Sequence, residues 1–409
     1  MSAITWHREA PSTGASRPFW TRFLHARRQD QVDAEKAYRL ARRFIAAASN
    51  LGLGRHTESC AGMPGWSTVQ VLHVTLGKVN DRMTVRLMPG QTVGDVRAVA
   101  GELAETLGVH RFWVTLRAPG IVLVELQRND PLESRVDRGH PLRSITEPVL
   151  FGLDDRGRDL RLVLADWSHT LVQGQTRSGK SRWLYGLLEQ VAQAPDLLIT
   201  GSDITNLVLR PFECHPRHGN LMATGSRDIS AHADVLEHLV KIMDDRIAAM
   251  PAHLDVFPCS VDDPWFLVLL EELPGLLKRA SVEDAGMKPK GNLRDRITSA
   301  YGRLLAEGAK AGFRLLIVMQ RADANIIGGY EREQCPIRIS FPVGDPTAVG
   351  MLHPNVSDEM AQWHCAGDAG RALLTMPGVP YVRFRSPHMA SYQDFRDAVG
   401  FTPDTPDPS

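Results

Sequence analysis

The hydrophobic rhythm of the chain changes twice. Residues 31–48 place Val32, Ala34, Ala37, Leu40, Ala41, Phe44 and Ile45 at helical spacing, which predicts one amphipathic helix. From about residue 67 the period drops to two. Strands are predicted at 69–74 and 83–87, then a Pro89-Gly90 turn, then a helix over 93–107 capped by Thr92. Strands at 111–116 and 121–126, joined at Pro119-Gly120, complete a small α/β module, and the polar stretch 129–143 reads as a linker. Further on, short apolar runs at 159–164, 170–173, 197–201, 265–270, 314–319 and 337–341 alternate with helical patterns, notably 229–250 and 293–311. That alternation predicts a mainly parallel sheet covered on both faces. The expected organisation is an N-terminal basic, amphipathic segment (1–55), a small α/β domain (56–130), a linker (131–148), a large α/β domain (149–390) and a polar tail (391–409).

Between the strand at 170–173 and a helical segment over 182–188 lies Gly174-Gln175-Thr176-Arg177-Ser178-Gly179-Lys180-Ser181, which reads G-x-x-x-x-G-K-S. This is a P-loop in its required strand-loop-helix setting. Its glycines let successive N–H groups and a helix N-terminus face a phosphate, Lys180 reaches the terminal phosphates, and the Ser181 hydroxyl suits Mg²⁺.

Two further strands end in polar residues. The run 265–270 leads into Glu271-Glu272, where the first acid can support Mg²⁺ opposite Ser181 and the second can polarise an attacking water. Two acids at this position also suit an ordinary helix start. The run 314–319 leads into Gln320, placed to sense a γ-phosphate through that water. Arg338 could complete a neighbouring subunit's site as a finger in trans, with Arg303 as the rival; either also fits a structural ion pair.

Composition narrows the picture. Lys+Arg and Asp+Glu both number 47 in 409 residues, so any polyanion site must be local. The densest basic stretch, Lys278, Arg279, Lys288, Lys290, Arg294 and Arg296, is either a pore or interface loop or a solvated surface. Around residues 19–28, Phe19, Trp20, Phe23 and Leu24 alternate with arginines, a pattern that fits an acidic membrane surface or a helix packed on its own domain. The five scattered cysteines form no C-x-x-C pair and read as reduced thiols; Cys214, His215 and His218 lack the second ligand pair a zinc site needs. No apolar run is long enough to span a bilayer, so the expectation is a cytoplasmic protein, peripheral at most.

These residues resemble the FtsK/SpoIIIE-type DNA translocases, hexameric RecA-like motors that act on double-stranded DNA. The resemblance runs from about Val69 to His388. It is carried by His169-Thr170-Leu171-Val172-Gln173-Gly174, Leu267-Val268-Leu269-Leu270-Glu271-Glu272-Leu273, the run from Ala311 to Arg321, Pro336-Ile337-Arg338-Ile339-Ser340-Phe341 and Met376-Pro377-Gly378. It implies a RecA-like P-loop NTPase motor, preceded by the small α/β module and the N-terminal helix. ATP and Mg²⁺ would be its cofactors, and duplex DNA and a homo-hexameric ring its partners, with other transfer proteins or the membrane face as further contacts. The motif roles carry to Lys180, Ser181, Glu271, Glu272, Gln320 and Arg338. The chain departs from the pattern at Glu271, where the family has Asp, and at Arg371, where it commonly has an acid. It has no membrane-spanning N-terminal domain, and the stretch after His388 is shorter than a winged-helix module. In plan it looks most like the plasmid-transfer (Tra) translocases of actinobacterial conjugative elements. A secretion-type ring ATPase acting on protein, and a non-catalytic DNA-binding scaffold on a degenerate motor fold, remain the alternatives.

Overall fold

The computed structural model describes residues 5–8, 19–58, 64–77, 79–219, 221–287, 291–322 and 328–400. The chain divides into two compact units, Met1–Pro131 and Leu132–Ser409.

The first unit is built on a five-stranded sheet. Its elements are β1 (Thr5–Arg8), α1 (Phe19–Ala48), β2 (Gly54–Glu58), β3 (Pro64–Thr68), β4 (Gln70–Leu76), β5 (Asn80–Arg86), α2 (Val93–Ala98), α3 (Ala100–Leu107), β6 (Arg111–Ala118) and β7 (Ile121–Gln127). The sheet order is β1-β4-β5-β7-β6, with β2 and β3 forming a separate pair. Ala37, Ala41 and Phe44 of α1 lie in one apolar core with Val74, Met83, Leu103, Val122 and Val124, as the helical spacing predicts. The basic aromatic stretch at 19–28 falls in α1, but its side chains lie outside the described residues. The helix expected over 93–107 is two helices. A Thr92/Asp95 capping box starts the first, Val99 breaks the turn at φ −107° and ψ 16°, and Gly108 stops the second at φ 66°.

The second unit carries β8 (Pro148–Asp154), β9 (Asp159–Val163), β10 (Thr170–Gln173), α4 (Lys180–Val191), β11 (Leu197–Asp203), β12 (Met222–Thr224), α5 (Ile229–Ala249), β13 (Trp265–Glu271), α6 (Leu273–Gly286), α7 (Leu293–Glu307), β14 (Phe313–Met319), α8 (Gly329–Gln334), β15 (Ile337–Ser340), α9 (Pro346–Leu352), α10 (Asp358–Cys365), β16 (Arg371–Met376), β17 (Val379–Arg385) and α11 (Tyr392–Val399). They form one ten-stranded sheet in the order β12-β11-β13-β14-β10-β15-β16-β17-β8-β9. The pairings from β12 through β15 are parallel, and the remaining four strands add on antiparallel.

The unbroken apolar runs are explained by burial on both faces. In β13, Leu267 and Leu269 join the core with Trp183 and Leu187 of α4, while Phe266, Val268 and Leu270 join the opposite core with Leu236, Leu276 and Leu304. In β14, Leu316 and Val318 face the first core, and Leu315 and Ile317 the second. Arg246 of α5 is accommodated at the second core because its guanidinium lies over Phe257 and Phe266, 4.9 and 4.7 Å from the ring centres.

Three expectations need correction. The run at 159–164 is not a parallel strand; it is the antiparallel edge strand β9. The stretch read as a linker folds back, with Leu132, Val136, Leu142 and Ile145 buried in the second unit. The polar tail begins with α11, a helix the Pro-rich end of the chain obscured. Phe395 of α11 stacks on Tyr185 of α4 at 4.5 Å.

Candidate active site

The phosphate loop lies where the parallel sheet changes direction. β10 pairs with β14 on one side and β15 on the other, so the loop leaves the sheet at the carboxyl ends of its strands, at a topological switch point. Gln173, the last residue of β10, is fully buried; its side-chain amide donates to Ala348 O (3.0 Å) and its Oε1 accepts from the Ala322 amide (3.0 Å). This fixes the take-off of the loop relative to both neighbouring strands.

Two glycines in the loop are required by contact. A Cβ on Gly174 would lie 2.6 Å from Ser178 Oγ and 2.7 Å from Phe341 Cβ. Gly179 has φ +97°, and a Cβ there would meet the Gly370 nitrogen at 2.4 Å. Gly370 N–H donates to Ser178 O at 2.8 Å, so the turn before β16 buttresses the loop from behind. Arg177, with φ 68°, is one of three non-glycine residues at positive φ among the described residues.

Gly174 to Ser181 line a cavity of about 480 Å³ together with Thr205, Leu207, Glu271, Glu272 and Gln320. Residues from four separate stretches of the sequence therefore meet in one place. Lys180 is buried and its Nζ donates to Met319 O at 3.1 Å. Glu271 ends β13 and is 7 % exposed, and its Oε2 has no hydrogen-bond partner. Burial raises its pKa to about 7; repulsion from Asp203 and Glu272 adds to the rise, and Lys180 opposes it. Glu272 sits in the left-handed region at φ 56°, the cap position of α6. That backbone turns its side chain into the cavity. Burial raises the Glu272 pKa as well, opposed by Lys180 and by a hydrogen bond from the Gln320 backbone.

Asp203 was missed in the sequence because the strand expected at 197–201 runs two residues further. It pairs directly with Glu271 across β11 and β13. Its carboxylate accepts backbone N–H groups from Thr205, Asn206, Leu207, Val208 and Leu209 at 2.7–3.1 Å. It thus moulds the loop that supplies Thr205 and Leu207 to the cavity. An aspartate ending a buried strand and followed by a Thr-Asn turn is a signal the sequence did contain.

Arg338 does not reach this cavity. Its guanidinium donates to the carbonyls of Cys335 (3.1 Å), Leu352 (3.2 Å) and Arg332 (2.6 Å), which ties β15 to the end of α9. These three bonds hold the guanidinium within its own chain. Arg303 is held by Asp244 and Glu307. In the basic stretch, Arg296 pairs with Asp234 and Glu237, Arg279 bonds Ser226 O and Arg294 bonds Ser281 Oγ; Lys288 and Lys290 lie outside the described residues. His218 uses both ring nitrogens within the fold, accepting from Ile199 N–H and contacting Ala192 O.

Mg²⁺ fits the donor set. Among the described residues no three His, Cys, Asp or Glu side chains gather as a metal cage. Magnesium needs none, since it binds through one or two protein oxygens, substrate phosphates and water. Ser181 and the unbonded Glu271 oxygen line the same cavity as the phosphate loop, and the Ser178 hydroxyl is a second buried group without a partner there.

One strand, β14, separates the phosphate-loop strand from the acidic strand β13. That order, with a lysine and a carboxylate lining one cavity beside the phosphate loop, is the fold of a RecA-like P-loop NTPase. Its sequence relatives are FtsK-like. The chain is 25% identical over 292 residues to an uncharacterized FtsK-like protein of Nostoc sp., spanning 66% of this chain and 38% of that one. It is 23% identical over 295 residues to the DNA translocase SftA of Bacillus subtilis, spanning 67% of this chain and 29% of the relative. The chain thus spans well under half the length of these curated relatives. No family profile matches it. Among solved structures, EssC (ATPases 2 and 3) from Geobacillus thermodenitrificans aligns with a TM-score of 0.50 at 15% identity, over 66% of this chain and 50% of that one, a likeness of fold alone. The FtsK/SpoIIIE resemblance read from the motifs agrees with these relatives.

Two outcomes follow from this geometry. Gly179→Ala should abolish binding of a fluorescent ATP analogue while the far-ultraviolet circular dichroism stays native; retained affinity would contradict the Gly179–Gly370 packing. The second concerns Glu271, whose folded pKa of about 7 lies above its ordinary 4.5. Between those values the unfolded chain ionises while the folded chain keeps its proton, so stability falls as pH rises through that window. In buffer without divalent cations, Glu271→Gln should be more stable than the wild type by roughly 2–3 kcal/mol at pH 8 and by less than half of that at pH 5. Urea midpoints read the difference, and a gap independent of pH would contradict the assignment.

Proposed function

We propose that the chain is an ATP-driven translocase of double-stranded DNA that works as a ring, most simply a hexamer, in conjugative transfer of a plasmid or integrated element. The observation that carries the reading is the meeting of Lys180, Ser181, Glu271, Glu272 and Gln320 around one cavity at the switch point of the sheet. Duplex DNA as substrate is drawn from the relatives named as DNA translocases. Ring assembly and conjugation rest on the family resemblance.

In this reading the N–H groups of 174–181 cradle the β- and γ-phosphates, and Lys180 turns from Met319 O to the γ-phosphate. Mg²⁺, when bound, neutralises charge on the phosphates; Ser181 and Glu271 would hold it. Glu272 takes the proton of the attacking water, and its raised pKa brings its basicity closer to the working pH. Gln320 lies beside Glu272 and follows whether the γ-phosphate is present. Arg338, with Arg303 as the rival, is the cation offered to a neighbouring subunit's site, which it would reach by leaving the carbonyls it now bonds. The N-terminal helix packs into the core of the small α/β module, and together they precede the motor as one unit. No described helix is long and apolar enough to cross a membrane, and contact with a membrane face would be peripheral.

Steady-state ATP hydrolysis should rise with long linear duplex DNA, and the rise should shrink as salt increases because phosphate contacts release counterions. Lys180→Ala and Glu272→Gln should each lower kcat by at least about a hundredfold. Hydrolysis indifferent to DNA would favour a protein substrate, and DNA binding with no hydrolysis would favour a scaffold.

A further inference from the structure

The strand that delivers the phosphate loop ends in a polar side chain to which the hydrolytic roles assign nothing. Gln173 closes β10, a strand whose four residues are all buried. A buried amide is unfavourable unless its groups are bonded. Here they are. Oε1 accepts from Ala322 N–H at 3.0 Å, and Nε2 donates to Ala348 O at 3.0 Å and to Ser340 Oγ. With acceptors for both N–H groups, the amide cannot flip without setting a donor against Ala322 N–H, so the direction of the oxygen is fixed. The three partners come from three separate stretches: the segment after β14, the end of β15 and the first turn of α9.

Resting on the reading that Glu272 activates water and Gln320 follows the γ-phosphate, we infer that Gln173 is a positioning residue for hydrolysis, holding residues 319–322 so that Glu272 and Gln320 stay in register with the phosphate loop. Each residue of that segment is tied to something. Met319 O accepts from Gly174 N–H at 3.2 Å and from Lys180 Nζ at 3.1 Å. Gln320 N–H donates to the Glu272 carboxylate. Arg321 pairs with Asp345 at 2.7 Å, and Ala322 N–H donates to Gln173. Gln320 therefore stands between an anchor on the phosphate loop and an anchor on Gln173. Beyond Gln320, the Arg321–Asp345 pair is largely in solvent and holds little, whereas the bond to Gln173 is buried. Losing that bond frees one end of the segment that carries the sensor and steadies the Glu272 carboxylate.

The phosphate loop itself has main-chain support that does not need this side chain. β10 is paired with β14 and β15 up to Gln173, Gln173 O accepts from Phe341 N–H at 2.8 Å, and Gly174 N–H reaches Met319 O. These bonds survive removal of the amide, and the groups that face a phosphate are the N–H groups of the loop. Two readouts therefore separate. Nucleotide affinity follows the main chain, while the rate of hydrolysis follows where Gln320 and Glu272 stand. A misplacement of about 1 Å at reacting groups costs on the order of a hundredfold in rate. A side chain that served stability alone would shift neither readout once the protein is folded.

Gln173→Met keeps the length of the side chain and removes all three bonds. In the full chain with Mg²⁺ and saturating ATP, kcat should fall between about tenfold and a hundredfold, while KM and the affinity for a fluorescent ADP analogue stay within about threefold of the wild type. Circular dichroism establishes that the variant is folded at the assay temperature. Gln320→Ala and Glu272→Gln are measured alongside. If those two lower kcat, then an unchanged kcat in Gln173→Met, or a loss of affinity as large as the loss of rate, overturns this inference and leaves the reading of the site standing. No hydrolysis by the wild type, or an unchanged kcat in Gln320→Ala and Glu272→Gln, overturns both. Should the Met variant not fold, hydrogen exchange in the wild type decides. Ala322 N–H should exchange at least about a hundredfold more slowly than an unstructured amide, and exchange at the unstructured rate overturns the inference.

Discussion

The carboxylate of Glu271 is held out of water at the end of a buried strand with one oxygen unbonded, and much of the motor unit serves to keep it there. An unsatisfied buried polar group is costly, and a buried charge more so. The fold tolerates it because β13 lies between β11 and β14 with apolar side chains on both faces. The group relaxes by taking a proton, which is what its raised pKa records. Lys180, a cation that pulls the other way, is bonded to a carbonyl of β14. Positive charge on a cation bound with the nucleotide would offset the carboxylate there.

Other features follow from that constraint. The loop carrying Lys180 is folded tightly against Phe341 and Gly370 with no room for a side chain, hence the contacts that only glycine satisfies at 174 and 179. Glu272 must turn out of the strand direction at once, hence its left-handed backbone. Such strain is seen where a site dictates it, and here a strand-to-helix junction holds it in place. Asp203 performs the same service one strand over, converting a chain reversal into a shaped wall through five backbone N–H bonds.

Much of this was legible in the sequence, for a physical reason. A strand buried on both faces is largely apolar, so β13 and β14 announce themselves as short near-continuous runs, and the polar residues that follow them stand out. Glu271, Glu272, Gln320 and the phosphate loop were found that way. The antiparallel strands β8, β16 and β17 alternate less clearly and were passed over. The connector at 132–147 looked like a linker because its few apolar residues, Leu132, Val136, Leu142 and Ile145, are spaced for no regular element, although each is buried. Arg338 shows the opposite limit. A cation beside a motif looks unencumbered in one dimension, and the three carbonyls it bonds appear only in the fold.

With a pKa raised to about 7 by burial, Glu271 is partly protonated in the empty site, and a cation carried in by the nucleotide should drive that proton off. Calorimetric titration of Mg²⁺·ADP at pH 7, repeated in two buffers of different ionisation enthalpy, counts the protons released on binding. With a pKa of about 7 in the empty site, the wild type should release about half a proton that Glu271→Gln does not. Identical proton counts for the two proteins would contradict it.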